Sequence, residues 1–483
     1  MSPTAMFPKK LKIITGIKGN LSSYKNRVIF WLYELIFWVA LALVSPYYFL
    51  RMKRRGGYAR GFLERFGFFE SVKRSRLRDL RPIWIHAVSV GEVNLALQLI
   101  EKLRLPADTS TTSGAHSKPR MPPLALSTTT STGHAFAAQK LPPDIPLFYY
   151  PVDSRFCFGR VHRLLQPSAF ILMEAELWPN HLRFCSQRKI PLALINARLS
   201  ERRYPRYRRF RWLFEPALRG FRLVTLQSVD DEDRLSNLGF PRESLAVVGN
   251  LKYDATLGSD PVRRSRLLAD LAVLRDRPLW VAGSTHPGEE AMVIEIFLRL
   301  KAGRPRLALA LAPRHAERTE EIADLLRRHG ISFVRRSDLN SREDPLHPST
   351  IHHPPSTGSV DALLFDTTGE LKHLYEQATL IFMGKSLFGH GGQNIIEPAI
   401  CGKAVLFGPN MENFAIIARD FLEARAAIQV RDAADLEKQA SRLLDDARER
   451  EELGARAADV VRGKQGALKR TLNEIRKMLS AGK

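Results

Sequence analysis

A chain of 483 residues, 45% of them hydrophobic, is too long for one ordinary core and apolar enough to fold, so two domains plus extras are expected. Its 74 lysines and arginines against 50 acidic residues give a formal charge of +24, which calls for a polyanionic partner, either nucleic acid or an acidic membrane surface. Cys157, Cys185 and Cys401 are far apart and in no C-x-x-C arrangement, which argues against a disulfide framework or a zinc site and suits a reducing compartment.

Residues 28–50, VIFWLYELIFWVALALVSPYYFL, carry Glu34 as their one charge, and the stretch meets the roughly 20 residues that a membrane-spanning helix requires. Basic residues flank it on both sides, Lys25 and Arg27 before and Arg51, Lys53, Arg54 and Arg55 after, so secretory cleavage is disfavoured and orientation stays open. A span and a helix dipping into one leaflet are both compatible with it. Trp31, Trp38, Tyr47 and Tyr48 suit interface depth better than a protein core. Membrane therefore takes precedence over nucleic acid as the partner.

From residue 83 onward short apolar runs alternate with helical patterns, at 83–88, 124–127, 147–150, 169–173, 192–196, 223–227 and 245–248. Residues 249–254 read as a hinge, and a second series follows at 279–282, 307–312, 362–365, 380–383 and 404–407. Such alternation predicts two parallel α/β sheets of Rossmann type, whose strand ends would frame a ligand cleft. The expected domains are 1–56, a membrane-anchor segment; 57–250, with an insertion at 106–123; and 251–483, with an insertion at 337–359 and terminal helices. His347, His352 and His353 in the second insertion offer at most adventitious metal contacts.

The strand at 83–88 runs into Ser89-Val-Gly-Glu92. Locally, Ser89-x-x-Glu92 is a capping box, and that reading is favoured; a carboxylate at a strand end can also serve as a general base. Ser127 to Gly133, STTTSTG, follows the next strand with hydroxyls and a helix start. Glu174 and Glu176 follow another strand, where Glu176 either meets an acceptor or braces the loops, bracing being favoured. Between Arg198 and Arg222 nine arginines, Arg202 and Arg206 among them, interleave with Tyr204, Tyr207, Phe210, Trp212 and Phe214. Aromatics that insert and guanidiniums that grip phosphates suit a membrane interface, with stacking on RNA as the competing use.

In the second half four loops follow strands: Gly283-Ser284-Thr285, Pro313-Arg314-His315, the DTTGEL stretch from Asp366, and Gly384-Lys385-Ser386. Arg314 can pair bidentately with phosphate or carboxylate, and Lys385 adds a point charge. The segment 388–414, FGHGGQNIIEPAICGKAVLFGPNMENF, completes the series. Gly391 and Gly392 would leave amides open to an anion, Asn394 would cap a helix start, and Glu397 would meet either the backbone as a cap or ribose hydroxyls. No D-x-D pair stands at a strand end to hold a metal, so positive side chains would stabilise a leaving nucleotide.

Together HAVSVGEVNLA, STTTSTG, EAELWPN, NARLS, GST, APRH, DTTGEL and FGHGGQNIIEPA, in this order, resemble the 3-deoxy-D-manno-octulosonic acid (Kdo) transferases of lipopolysaccharide assembly. The resemblance covers nearly the whole chain. It implies a GT-B glycosyltransferase fold, anchoring at the cytoplasmic face of the inner membrane, and metal-independent, inverting transfer of Kdo from CMP-Kdo to the lipid A precursor, with no cofactor. It makes Glu92 the catalytic base, which overrides the local cap reading, and Glu176, Arg202 and Arg206 acceptor-side or structural groups. Arg314, Lys385, Ser386 and Asn394 would surround phosphate or the Kdo carboxylate, with Gly391 and Gly392 as backbone nest. Glu397 would hold ribose, and Ser284 and Thr285 would line the same site. The family often carries His where this chain has Gln393. The rivals are another GT-B transferase acting on a lipid, and a non-enzymatic, membrane-tethered polyanion-binding protein.

Overall fold

The computed structural model of the protein describes residues 30–46, 61–105, 122–174, 177–199, 204–254, 261–274, 277–340, 360–367 and 369–481. Glu176, Arg202, most of both insertions and the three histidines of the second lie outside them. Two compact units are present, residues 1–254 with 466–483, and residues 255–465.

The first unit is built on seven parallel strands: β1 (Ile83–Ala87), β2 (Leu124–Thr128), β3 (Leu147–Tyr149), β4 (Ala169–Met173), β5 (Leu192–Ala197), β6 (Phe221–Leu226) and β7 (Leu245–Val247). Their order is β3-β2-β1-β4-β5-β6-β7. Four of them, β1, β2, β4 and β5, are buried along their whole length, as expected of strands covered by helices on both faces. The chain order reverses at β1, which pairs with β2 on one side and β4 on the other. In open α/β sheets such a switch point is where ligands bind, outside the carboxyl ends of the strands.

The second unit repeats the plan with β8 (Leu279–Thr285), β9 (Ala308–Pro313), β10 (Phe333–Arg335), β11 (Ala362–Leu364), β12 (Leu380–Met383), β13 (Val405–Phe407) and β14 (Ile428–Gln429), in the order β10-β11-β9-β8-β12-β13-β14. Its switch point lies at β8, between β9 and β12.

The expected hinge at 249–254 is a fixed turn in the structure. Leu251–Asp254 forms a 3-10 helix with Leu251 and Tyr253 buried. Both Asp254 oxygens cap the start of the last helix, Ala467–Ser480, accepting Gly466 N–H at 2.6 Å and Leu468 N–H at 2.7 Å. That helix, expected in the second domain, belongs to the first unit, where Leu472, Ile475 and Met478 join the core under β1 and β4.

The apolar N-terminal segment forms a helix over the described residues 30–46, and among the described residues no helix is long and apolar enough to cross a membrane. Glu34, the lone charge, is buried and accepts from Ser154 Oγ at 2.8 Å, while Tyr33 donates to Asp153 at 2.9 Å. Arg155 stacks on Trp31 and Arg183 on Phe30. One face is thus held on the first unit by polar contacts. Trp31, Leu32, Leu35, Ile36, Val39 and Leu43 are each more than half exposed.

Candidate functional site

At the switch point of the first sheet, β1 leads into the helix Val90–Arg104, with Ser89 as its N-cap. The Glu92 carboxylate accepts Val88 N–H at 2.7 Å and Ser89 O–H at 3.3 Å, while Glu92 N–H donates to Ser89 Oγ. The local cap is therefore present, reaching one residue beyond the capping box. Glu92 remains partly exposed at the carboxyl end of β1, so a second proton-accepting role is sterically open.

Beside it, β4 ends in Glu174, whose backbone takes the left-handed region at φ 59. Its carboxylate binds Lys252 Nζ at 2.8 Å and accepts from Asn196 Nδ2 at 3.4 Å. Asn196 in turn accepts from Leu251 N–H and Gln227 Nε2, and Gln227 accepts from Asn250 Nδ2. A buried polar network therefore braces the ends of β4, β5 and β6, and Glu174 does the bracing.

The arginine and aromatic stretch divides by burial. Tyr204, Tyr207 and Phe214 pack against the core, and Glu215 is chelated by Arg211 and Arg219. Phe210 and Trp212 are exposed, as is Arg206. Three of the five expected interface aromatics therefore pack against the core, because helices this short must bury something to hold their place.

The second switch point gathers more. Ser284 at the end of β8 and Lys385 after β12 both adopt left-handed backbone, φ 56 and 58, a strain that non-glycine residues carry where the surroundings impose it. The Glu289 carboxylate imposes it. Fully buried, it accepts four amides: His286 at 3.0 Å, Lys385 at 2.6 Å, Ser386 at 3.0 Å and Leu387 at 3.2 Å. Gly384 is required here, since a Cβ would stand 2.5 Å from Thr285 Cα and 2.7 Å from Ser284 O.

Around this pin stand cations and polar groups. Lys385 and His315 lie close enough to His286 to lower its pKa, after burial as the main cause. Arg314 is exposed on the next loop. Glu397 is exposed to solvent, but its carboxyl pKa is raised by desolvation, against the opposing pull of Lys372, an Asn394 hydrogen bond and Arg314. Arg314, Asn394 and Glu397 are thereby brought together with Lys372, which the sequence does not single out because it sits inside the helix Leu371–Gln377.

Four expectations change. Ser386 is fully buried, its hydroxyl donating to Met383 O at 2.5 Å and accepting Gly408 N–H at 2.8 Å, so its side chain is a brace. Thr285 is also buried, its hydroxyl without a hydrogen-bond partner. The glycine amides are not open: Gly391 N–H donates to Glu412 at 2.6 Å and Gly392 N–H to Lys385 O at 3.2 Å. Finally, the helix after Asn394 spans only Ile396–Ile400, too short for a substantial dipole. The N-cap position belongs to Ile395, and Asn394, one residue before it, accepts Ile396 N–H on Oδ1 at 3.2 Å.

Residues 60–255 match the sequence pattern of a family described as 3-deoxy-D-manno-octulosonic-acid transferase (kdotransferase). The 3-deoxy-D-manno-octulosonic acid transferase of Haemophilus influenzae is 32% identical over 423 residues, covering 87% of this chain and 92% of its own length. Its counterpart from Bordetella pertussis is 31% identical over 454 residues, covering 91% and 98%. Among solved structures, the UDP-GlcNAc 2-epimerase of Neisseria meningitidis covers 82% of this chain and 100% of that chain at 12% identity, with a TM-score of 0.54. That last likeness concerns the fold alone, and with the two parallel sheets it makes this fold GT-B-like.

Proposed function

The chain belongs to the 3-deoxy-D-manno-octulosonic acid transferase family, and from that premise we propose that it moves Kdo from CMP-Kdo to a hydroxyl of the lipid A precursor, with inversion. The acceptor oxygen bonds to the anomeric carbon as the bond from that carbon to the CMP phosphate oxygen breaks. Glu92 takes the acceptor proton. Arg314, Lys372 and Lys385 neutralise charge on the departing phosphate, a service a metal ion performs elsewhere. Asn394 and Glu397 meet the ribose and the sugar, Ser284 and Thr285 line the same loops, and Ser386 with Glu289 holds those loops in place.

The carrying observation is that Arg314, bonded through its backbone N–H to Thr285 O at the end of β8, lies with Lys372 and Asn394 about Glu397, while Lys385 stands by His286 on the strained loop pinned by the buried Glu289 carboxylate. Cations beside one carboxylate suit a ligand that is anionic at one end and hydroxylated at the other, as a CMP-sugar is. Gly391 contributes its amide once Glu412 yields to a stronger anion, while Gly392 keeps its bond to Lys385 O and shapes the loop.

We place the protein on the cytoplasmic face of the inner membrane, lying against anionic lipid through the exposed face of residues 30–46 and through Arg202, Arg206 and their neighbours. A phosphorylated lipid acceptor gives the excess of positive charge its purpose. Incubating purified protein with CMP-Kdo and lipid A precursor, with and without a chelator, tests the reading: product formation unaffected by chelation is expected.

A further inference from the structure

Away from both switch points, the first unit holds a cluster that the transfer reaction does not use. His162 comes from the helix Arg155–Leu165, and His181 and Cys185 from Pro179–Gln187, one turn apart on a single face. Their Nε2 atoms face each other at 2.8 Å, Cys185 Sγ lies 3.8 Å from His162 Nε2, and all three donors fall within 4.8 Å of one another. None is more than 5% exposed.

Only one proton fits between two facing ring nitrogens. Whichever ring keeps it, His162 Nδ1 remains buried without a hydrogen-bond partner, an arrangement that costs roughly 1–3 kcal/mol. On the far side of His181, Nδ1 meets Tyr150 Oη at 2.5 Å. A hydrogen bond on the other nitrogen is the usual way a metal-binding imidazole is oriented. Burial keeps both imidazoles neutral, His162 being lowered to about 3, so their lone pairs are available.

We propose that His162, His181 and Cys185 form a buried site for a monovalent d10 cation of soft character, Cu(I). Three donors, two imidazole nitrogens and one thiolate sulfur, match the coordination that soft cations accept. Charge decides between the candidates. Trp84, Phe158, Phe170 and Phe184 wall the cluster, and the charged group acting on both His162 and Cys185 is the Arg188 guanidinium, itself a cation. Cu(I) with one thiolate is neutral. Zn(II) would leave a net positive charge among aromatic rings beside a guanidinium, and it demands a fourth ligand. Binding releases the thiol proton to solvent, and because the site is enclosed the ion enters as the unit folds.

The test is an anaerobic titration of the full chain with Cu(I) against a coloured Cu(I) chelator, followed by X-ray absorption of the loaded protein. One Cu(I) per chain is expected, with one sulfur and two imidazole nitrogens as neighbours. Cys185→Ser and His162→Phe, the latter keeping an aromatic ring against Phe184, should each weaken binding by more than the roughly hundredfold that losing an outer-shell partner costs. Replacing His347, His352 and His353 with alanine should leave it unchanged. Circular dichroism separates loss of a ligand from loss of fold, and the absorption spectrum needs no variant. No retained Cu(I), a shell without sulfur, retention in both single variants, or one equivalent of Zn(II) held instead would each overturn the proposal.

Discussion

The Glu289 carboxylate and the Lys385 amide, 96 positions apart in the chain, are joined at 2.6 Å, and this contact holds the loop after β12 in a backbone conformation that lysine does not choose unaided. The same carboxylate takes three further amides. Glu289→Gln replaces an acceptor oxygen by a donor and sets it against a buried N–H, at a cost of roughly 1–3 kcal/mol. The expected result is a KM for CMP-Kdo raised about tenfold or more with a smaller effect on kcat, together with a lower Tm. Steady-state kinetics and a thermal melt check both.

Lys385 can be tested without disturbing its backbone. At φ 58 glycine is at ease, so Lys385→Gly removes the ammonium while suiting the turn, whereas Lys385→Ala removes the charge and keeps the strain. Both should weaken donor binding by a similar factor, roughly tenfold, because the charge and not the conformation is what the donor feels. Calorimetric titration with CMP measures it. A glycine variant that binds as tightly as wild type would remove Lys385 from the site.

Acid should unfold the first unit early. His86 and His162 are buried neutral, their pKa values lowered from 6.5 to about 3 by desolvation. Between these values the unfolded chain binds the protons and the folded chain does not, so stability falls as pH drops from about 6.5 to about 3. Asp153 acts in the opposite sense: burial raises its carboxyl from 3.8 to about 6, so folding takes up a proton in that window and stability there rises as pH falls. Two rings outweigh one carboxyl. Tm is expected to fall from pH 7 to pH 4.5, and less steeply in His162→Phe.

The exposed apolar face of residues 30–46 should govern membrane association. Leu35→Glu with Ile36→Glu places two charges where burial in lipid would contribute roughly 1.5–3 kcal/mol per side chain. Co-sedimentation with anionic vesicles should weaken at least tenfold, with transfer to a soluble, short-chain acceptor preserved.

All seven strands of the first sheet were legible as apolar runs bounded by turns, and five of the seven in the second. The two missed are β14, of two residues, and β10, whose Phe333–Arg335 run ends in a charge and passes directly into the helix Arg336–Asn340. The last helix reads as part of the second half and packs in the first, because an amphipathic pattern says that a face is buried but not against which sheet. At the site, Arg314, Lys385, Asn394 and Glu397 stand out as charges and caps after strands. Glu289 does not, since an acid in the first turn of a helix is ordinary, and its four amides come from loops remote in sequence. Ser386 misled for the same reason in reverse: a hydroxyl after a strand reads as a ligand until Gly408 and Met383 are seen to occupy it.

Glu92 carries the chemistry in this account while also capping its own helix. Glutamine suits the capping position as well as glutamate, so Glu92→Gln removes the base and spares the fold. The decisive measurement is mass spectrometry of the product formed by purified wild-type and Glu92→Gln protein from CMP-Kdo and lipid A precursor, beside parallel reactions with UDP-sugars. Wild type should add Kdo from CMP-Kdo alone, and the variant should be slower by roughly a hundredfold to ten-thousandfold with CMP binding intact. Turnover with UDP-sugars alone, or a variant as fast as wild type, would contradict it.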